Sequence, residues 1–314
     1  MKHIKLLYLF LLISWSSLPL QAADYLLQSP NGKLTVEIET KGQLSYTLKH
    51  NSQTLLDKSP IGLLLEDKIL GEDIKISRIK RNSSVKEHIV SPHYRLPSFE
   101  VTYNELNLKF KGNYGIIFRA YNEGIAYRFY TTMKGPLIIK DEMVQMNFPK
   151  DYPTFMSYST MPTGKDQYAM AFQNLYTKSS IKGVDTNNIA FLPITIDCGN
   201  ELKMTLLESD LEDYPGMFIK GDGKNTSLQG TFAHYPSEIK NFPPRAMKRI
   251  TKRTDYIART TGERNYPWRI WAITEKDTEM PVNNLVYALA SPNRIGDCSW
   301  IKTGKVAWDW WNDW

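Results

Sequence analysis

Two cysteines, Cys198 and Cys298, are all that 314 residues contain, which excludes a small disulfide-stapled scaffold and a multi-cysteine metal cluster. Whether the two thiols pair stays open at this level: a disulfide needs Cα atoms within roughly 4.4–6.8 Å of each other, which sequence spacing does not supply. There is no HExxH and no zinc-finger spacing among His50, His88, His93 and His234, and no phosphate loop, dinucleotide fingerprint or G-x-S-x-G. Beyond the first 23 residues no apolar run approaches the ~20 residues of a spanning helix, so no membrane anchor is expected. An excess of one charge is missing too, with 39 basic against 33 acidic side chains spread along the chain. The densest basic run, 245–259, also holds Asp255 and apolar residues, so it reads as a solvated strand face and no nucleic-acid partner is expected. Before residue 275, sustained helical periodicity is likewise absent.

What is present begins with a leader. Residues 1–23 combine Lys2, His3 and Lys5, an apolar stretch from Leu6 to Trp15 and a small-residue exit at Ala22 and Ala23. That is the layout of a secretory signal peptide, and it predicts a periplasmic or otherwise exported protein. The apolar core is too short to span a bilayer, and no cysteine lies near the exit to carry a lipid. Removing Lys2 and Lys5 takes the formal charge of +6 to about +4. With 42% hydrophobic and 12% aromatic residues, the remainder has ample material for a core.

Most of that remainder alternates with period two. Leu34, Val36 and Ile38 answer Leu44, Tyr46 and Leu48 across Lys41-Gly42, a hairpin pattern. Alternation recurs at 100–110, where Val101 and Tyr103 give way to Leu106, Leu108 and Phe110 after a change of phase, and again at 114–121, 126–132, 191–197 and 202–209. Repeated short strands bounded by turn formers predict an all-β sandwich. The turn-former-rich stretches 157–170 and 235–247 read as long surface loops, a common place for binding residues. Glu208, Asp210, Glu212 and Asp213 lack the spacing of a calcium loop and read as a solvated turn before Tyr214-Pro215-Gly216.

The texture changes near the end. Residues 277–291 lose strand alternation and predict a helical turn or two, 292–304 reads as a linker, and 305–314 opens a new apolar run of β-favouring residues. Five of the eight tryptophans fall in the last sixteen positions, where a tail normally has no core to pack against. Asp309 and Asp313 are not an acid–base pair: in an extended strand they stand about 13 Å apart, beyond the roughly 5–5.5 Å or 6.5–9.5 Å of glycosidase carboxylates.

Four separated stretches, 113–131, 206–218, 266–273 and 285–314, resemble in order the N-terminal half of glycoside hydrolase family 97. The resemblance implies exported α-glucosidases or α-galactosidases, with a β-super-sandwich of galactose-mutarotase type packed against a (β/α)8 barrel. On that reading residues 1–23 are a signal peptide, 24–290 the sandwich, 291–304 a linker and 305–314 a short remnant of the first barrel strand, the catalytic barrel being missing. Val306, Trp308 and Trp310 would pack the barrel, while Trp311, Asn312 and Asp313, at the strand's C-terminal end, would contact an α-linked oligosaccharide. The motif from 300 to 314 resembles the retaining, α-galactosidase-like members more than the inverting ones. The family's catalytic carboxylates sit on later barrel strands, so no catalytic residue is assigned. A sandwich loop of family members gives a carboxylate to a calcium site; the matching stretch, 171–180, has Gln173 at that place, and Gln173 reads equally well as an ordinary loop residue. Calcium is therefore expected in the complete enzyme and not on this chain alone.

Two functional classes follow. One is the sandwich portion of an exported α-glycosidase, inactive by itself. The other is a free-standing carbohydrate-binding or interaction module, against which the exposed tryptophans count as an aggregation hazard. An apolar docking face left bare predicts self-association or capture of a separately encoded barrel.

Overall fold

The computed structural model describes residues 24–91, 94–159, 161, 165–169, 174–223, 225–242 and 247–306. Period-two alternation becomes strand wherever one face is buried. Leu34–Glu39 alternates buried and half-buried positions and pairs antiparallel with Ser45–His50, placing Val36 opposite Leu48 and Ile38 opposite Tyr46. Gly42 in the connection has φ 69°, a left-handed conformation that a side chain would strain.

The strands form two antiparallel layers that share one long member. Gly124–Asn147 runs 24 residues. Its first half pairs with Tyr114–Tyr121 and Trp268–Thr274, and its second half with Gln53–Leu65 and Ser227–Phe232. From the first half the layer extends on one side through Tyr114–Tyr121 to Ser98–Phe110 and Ile76–Val90. On the other side it passes through Trp268–Thr274 to Lys203–Ser209, Ala190–Asp197, Pro153–Tyr158 and Thr177–Ser180. From the second half the other layer extends through Gln53–Leu65 to Ser45–His50, Leu34–Glu39 and Tyr25–Gln28. Its opposite wing is Ser227–Phe232 with Met217–Gly221. The result is the all-β sandwich expected.

The change of phase at 103–106 has a structural cause. Ser98–Phe110 is one continuous strand whose two halves bury opposite faces. Leu106, Leu108 and Phe110 belong to the main core between the layers. Val101 and Tyr103 instead join Trp268, Ile270, Leu285 and Leu289 in a second cluster. That cluster lies on the outer face of the first layer, beneath the short helix Leu285–Ala288 and Leu289 after it. The second of the predicted helical turns is therefore the cover of an outer sheet face, and the first, Asp277–Val282, is a 3-10 turn ahead of it.

Two expectations need correction. The stretch 235–247 is not all loop: Pro236–Phe242 pairs with Met247–Arg253 as a two-stranded ribbon separate from the main sheet. Turn formers at both ends of a seven-residue strand hid its pairing from a reading of local composition. The acidic cluster is not simply solvated either, because Glu208 lies within the strand Lys203–Ser209 and is held by Arg269. Most of the stretch expected to open the barrel, 305–314, lies outside the described residues; of its described part, Lys305 and Val306 carry no regular secondary structure and Val306 is 83% exposed. Cys198 is buried, Cys298 is partly exposed, and both thiols are free.

Candidate functional site

The residues singled out as ligands in the sequence, Gln173, Trp311, Asn312 and Asp313, lie outside the described residues, as do Trp308, Trp310 and the leader. What the structure describes is the ground from which those segments spring. Three arginines organise it, two of them, Arg128 and Arg269, drawn from strands whose neighbours are apolar.

Arg269 is the deepest. The strand Trp268–Thr274 is buried along its whole length, so a guanidinium within it requires partners. Glu142 accepts from Arg269 Nε and Nη2 at 2.9 and 2.7 Å, a bidentate pair, and Glu208 accepts from Nη1 at 2.5 Å. Burial works against the charged guanidinium, yet Glu142 and then Glu208 outweigh it and hold the Arg269 pKa above its ordinary value. Burial also raises the Glu208 carboxyl, with Arg269 opposing. With Glu142 and Arg269 both buried this triad is a structural lock and offers no group to a substrate.

Arg128 is the second. Its Nη2 donates to Asp210 Oδ2 at 3.0 Å, its Nε donates to the Tyr266 carbonyl, and it stacks 4.9 Å from the Trp268 ring. Burial lowers its pKa, with Asp210 opposing. Asp210 Oδ1 also accepts the Ser291 backbone N–H at 3.1 Å, and Arg294 pairs with Glu212 at 2.6 Å. Two backbone carbonyls of the same turn, Glu212 and Asp213, accept from Arg264. The turn read as a solvated acidic cluster is therefore a clasp that fixes where the chain leaves the sandwich.

Arg253, in the ribbon, is the third. It donates to Asp166 Oδ2 from Nε at 2.9 Å and from Nη2 at 2.8 Å, and to the His234 carbonyl from Nη1. Asp166 opens a stretch tied down again by Gln167, which donates to the Asn187 carbonyl and accepts the Ile189 N–H. Tyr168 adds a hydrogen bond to Thr231. On the far side of the undescribed residues, the Asn174 carbonyl accepts from Ser157. Both ends of the stretch that carries Gln173 are thus anchored to the sandwich.

Between the clasp and the ribbon base runs a cleft of about 1380 Å3, floored by 133–136 and 258–265 and bordered by Asp210, Tyr214, Tyr235 and Ser291. A smaller cleft of about 620 Å3 lies beyond the ribbon base, against Asp166, Tyr168 and Thr231. Among the described residues no group of three His, Cys, Asp or Glu side chains is placed to hold a metal ion, and Gln173, the residue assigned to a calcium site, lies outside them. Arg128 and Arg269 went unnoticed in the sequence, where their signal was a charged residue inside an apolar strand, in 125–130 and 268–273, while Arg253 belongs to the basic run 245–259, read as a solvated strand face.

Comparison with known proteins agrees with this architecture. The family described as Glycosyl-hydrolase 97 N-terminal matches residues 27–292. A retaining α-galactosidase of Bacteroides thetaiotaomicron is 38% identical over 99% of this chain and 48% of its own length. A probable retaining α-galactosidase of Streptomyces bingchenggensis is 23% identical over 90% of this chain and 39% of its own. The chain thus spans less than half the length of both relatives. Among solved structures, a family 97 enzyme of Pseudoalteromonas sp. strain K8 in complex with acarbose superposes with TM-score 0.71 at 18% identity, over 88% of this chain and 40% of that one. A β-arabinopyranosidase superposes with TM-score 0.64 at 16% identity, over 81% and 40%. The chain belongs to glycoside hydrolase family 97, and the part of the family that it matches is the N-terminal domain.

Proposed function

We propose that this chain is the β-sandwich of an exported α-galactosidase, supporting an active site whose acid and base belong to a catalytic domain outside the described residues. The observation that carries the reading is the 38% identity to a retaining α-galactosidase over nearly the whole chain and under half of the relative. The geometry supports a framing role. Glu142, Glu208 and Asp210 are committed to arginines, while the stretch bearing Gln173 and the chain's exit are both fastened down. Substrate contact by Trp311, Asn312 and Asp313, with an α-linked oligosaccharide as ligand, is part of the same proposal. So is calcium in the complete enzyme, with Gln173 contributing at most one amide oxygen among the six to eight ligands the ion takes.

The test is hydrolysis. The gene product in its natural extent should cleave p-nitrophenyl α-galactoside in preference to the α-glucoside, with retention seen by proton NMR, and residues 24–306 alone should not. Turnover by 24–306 that vanishes on substituting one of its own carboxylates would overturn the framing role. Preference for the glucoside would overturn the substrate.

A further inference from the structure

We propose that the ribbon formed by Pro236–Phe242 and Met247–Arg253 is a docking surface for an anionic phospholipid bilayer, an interaction beyond the functional reading above and independent of its substrate. The ribbon pairs with no other strand. Its base is fastened to the sandwich, where Arg253 grips Asp166 and, with Pro236, borders the larger cleft. Its far part is not: among the described residues, the side chains of 239–242 and 248–249 have no hydrogen bond or ion pair outside the ribbon. Phe242 lies four residues beyond Glu238, about 13 Å along an extended strand.

The register distributes the side chains of this far part over both faces. Ile239 stands opposite Ile250 and Asn241 opposite Lys248, so these four share one face. Lys240, opposite Arg249, shares the other face with Phe242, and there the Arg249 guanidinium lies 5.9 Å from the Phe242 ring. Each face thus carries an apolar side chain and a cation. Ile239 is 53% and Phe242 44% exposed, and Lys240, Lys248 and Arg249 are exposed as well. Residues 236–253 hold six cations and one carboxylate, Glu238, which is shared by Lys240 and Lys252 at 2.7 and 3.0 Å. Positive charge is left over at Lys248 and Arg249.

That distribution selects the occupant. A protein groove, or a glycan stacked on a ring, would engage one face and leave the apolar residue of the other bare. A bilayer surrounds an inserted ribbon end on every side, so apolar side chains of both faces enter the acyl boundary while the cations stay among the headgroups. The excess positive charge draws the ribbon to anionic lipid over the last Debye length. This is attachment at a surface and not a spanning anchor, for which no described helix is long and apolar enough.

The experiment is co-sedimentation of the natural gene product with vesicles of phosphatidylcholine, alone or mixed with phosphatidylglycerol, at low and high salt. About tenfold tighter binding to the anionic vesicles, lost in high salt, is the expected result. Lys248→Glu with Arg249→Glu should abolish that preference, and Phe242→Ser should weaken binding about tenfold while Phe242→Trp preserves it. The same charge change at Lys80 and Lys86, exposed on the outlying strand Ile76–Val90, should leave binding intact. Equal binding to both vesicle types, an equal loss from the Lys80 and Lys86 change, or no binding because another domain or a second copy covers the ribbon would each overturn the proposal. Retention by polygalacturonate in place of vesicles would overturn it too. Hydrolysis of p-nitrophenyl α-galactoside by the same preparation keeps the two readings apart. Activity without vesicle binding sinks the lipid surface alone, and vesicle binding without activity sinks the substrate assignment alone.

Discussion

Glu208 and Glu212 stand four residues apart, and each is paired with an arginine, yet the pairs belong to different regions of the molecule. Arg269 and Glu208 meet inside the sheet, 1% and 12% exposed at their side chains, whereas Arg294 and Glu212 meet on the rim at 73% and 50%. A buried guanidinium has given up its hydration and depends on its carboxylates, while an exposed one retains water as an alternative partner. The same ion pair is therefore a structural necessity in the body of the sandwich and a weak tether at its edge. Asp210 sits between these regimes, with one oxygen on the half-buried Arg128 and the other on the backbone of the departing chain.

The comparison is broken most severely at Arg269. Arg269→Met leaves Glu142 and Glu208 without their cation and should cost about 3–5 kcal/mol in urea denaturation. Changing all three residues together to apolar ones of similar volume should recover much of the loss. A cost for R269M below about 1 kcal/mol would mean that the triad does not hold the layers. Asp210→Ala should cost about 1–3 kcal/mol, because Arg128 loses its carboxylate in a half-buried place. It should also speed tryptic cleavage after Arg294, while Arg294→Ala itself costs about 0–1 kcal/mol. Equal losses from these two variants would erase the distinction between clasp and tether.

A smaller effect sharpens the comparison at the other end of the chain. The Thr40 backbone N–H, with burial opposing and the Thr40 hydroxyl and Lys41 assisting, holds the Asp24 carboxyl below its ordinary 3.8. A lowered folded-state pKa means that the unfolded chain takes up the proton first. Asp24 therefore contributes stability above pH 3.8 that is lost as pH falls below that value through the folded pKa. Asp24→Asn should flatten the acid limb of stability against pH in that window, and an unchanged limb would count against the contact. The smallest effect is chemical. Burial pushes the Cys198 thiol up to about 12, so a thiol reagent at pH 8 should label Cys298 in the folded protein and reach Cys198 only in denaturant. Early labelling of Cys198 would place it in a looser region than the core it joins.

Elements that depend on near neighbours were legible in the sequence, and those that depend on distant ones were not. The hairpin across Lys41-Gly42 and the strands at 114–121 and 203–209 announce themselves because alternation over a few residues is itself the condition for burying one face. The ribbon was misread because its pairing joins 236–242 to 247–253 across a stretch whose composition favours turns. The acidic turn was misread because its cations arrive from Arg128 and Arg269, 82 and 61 residues away in the chain.

The sequence by itself determined the all-β class, the helical cover before residue 290 and the family, since periodicity and ordered motifs are local properties of the chain. The change of phase between Tyr103 and Leu106 was also visible there, but not its meaning. Only the tertiary structure decided that this strand buries one face under the helix and the other in the core. It also decided that Gly124–Asn147 serves both layers and that an acidic turn clasps the chain's exit beside a cleft. Those outcomes rest on which residues meet across tens of positions, and burial, which converts a lone charge into an obligatory pair, exists only once the layers have closed.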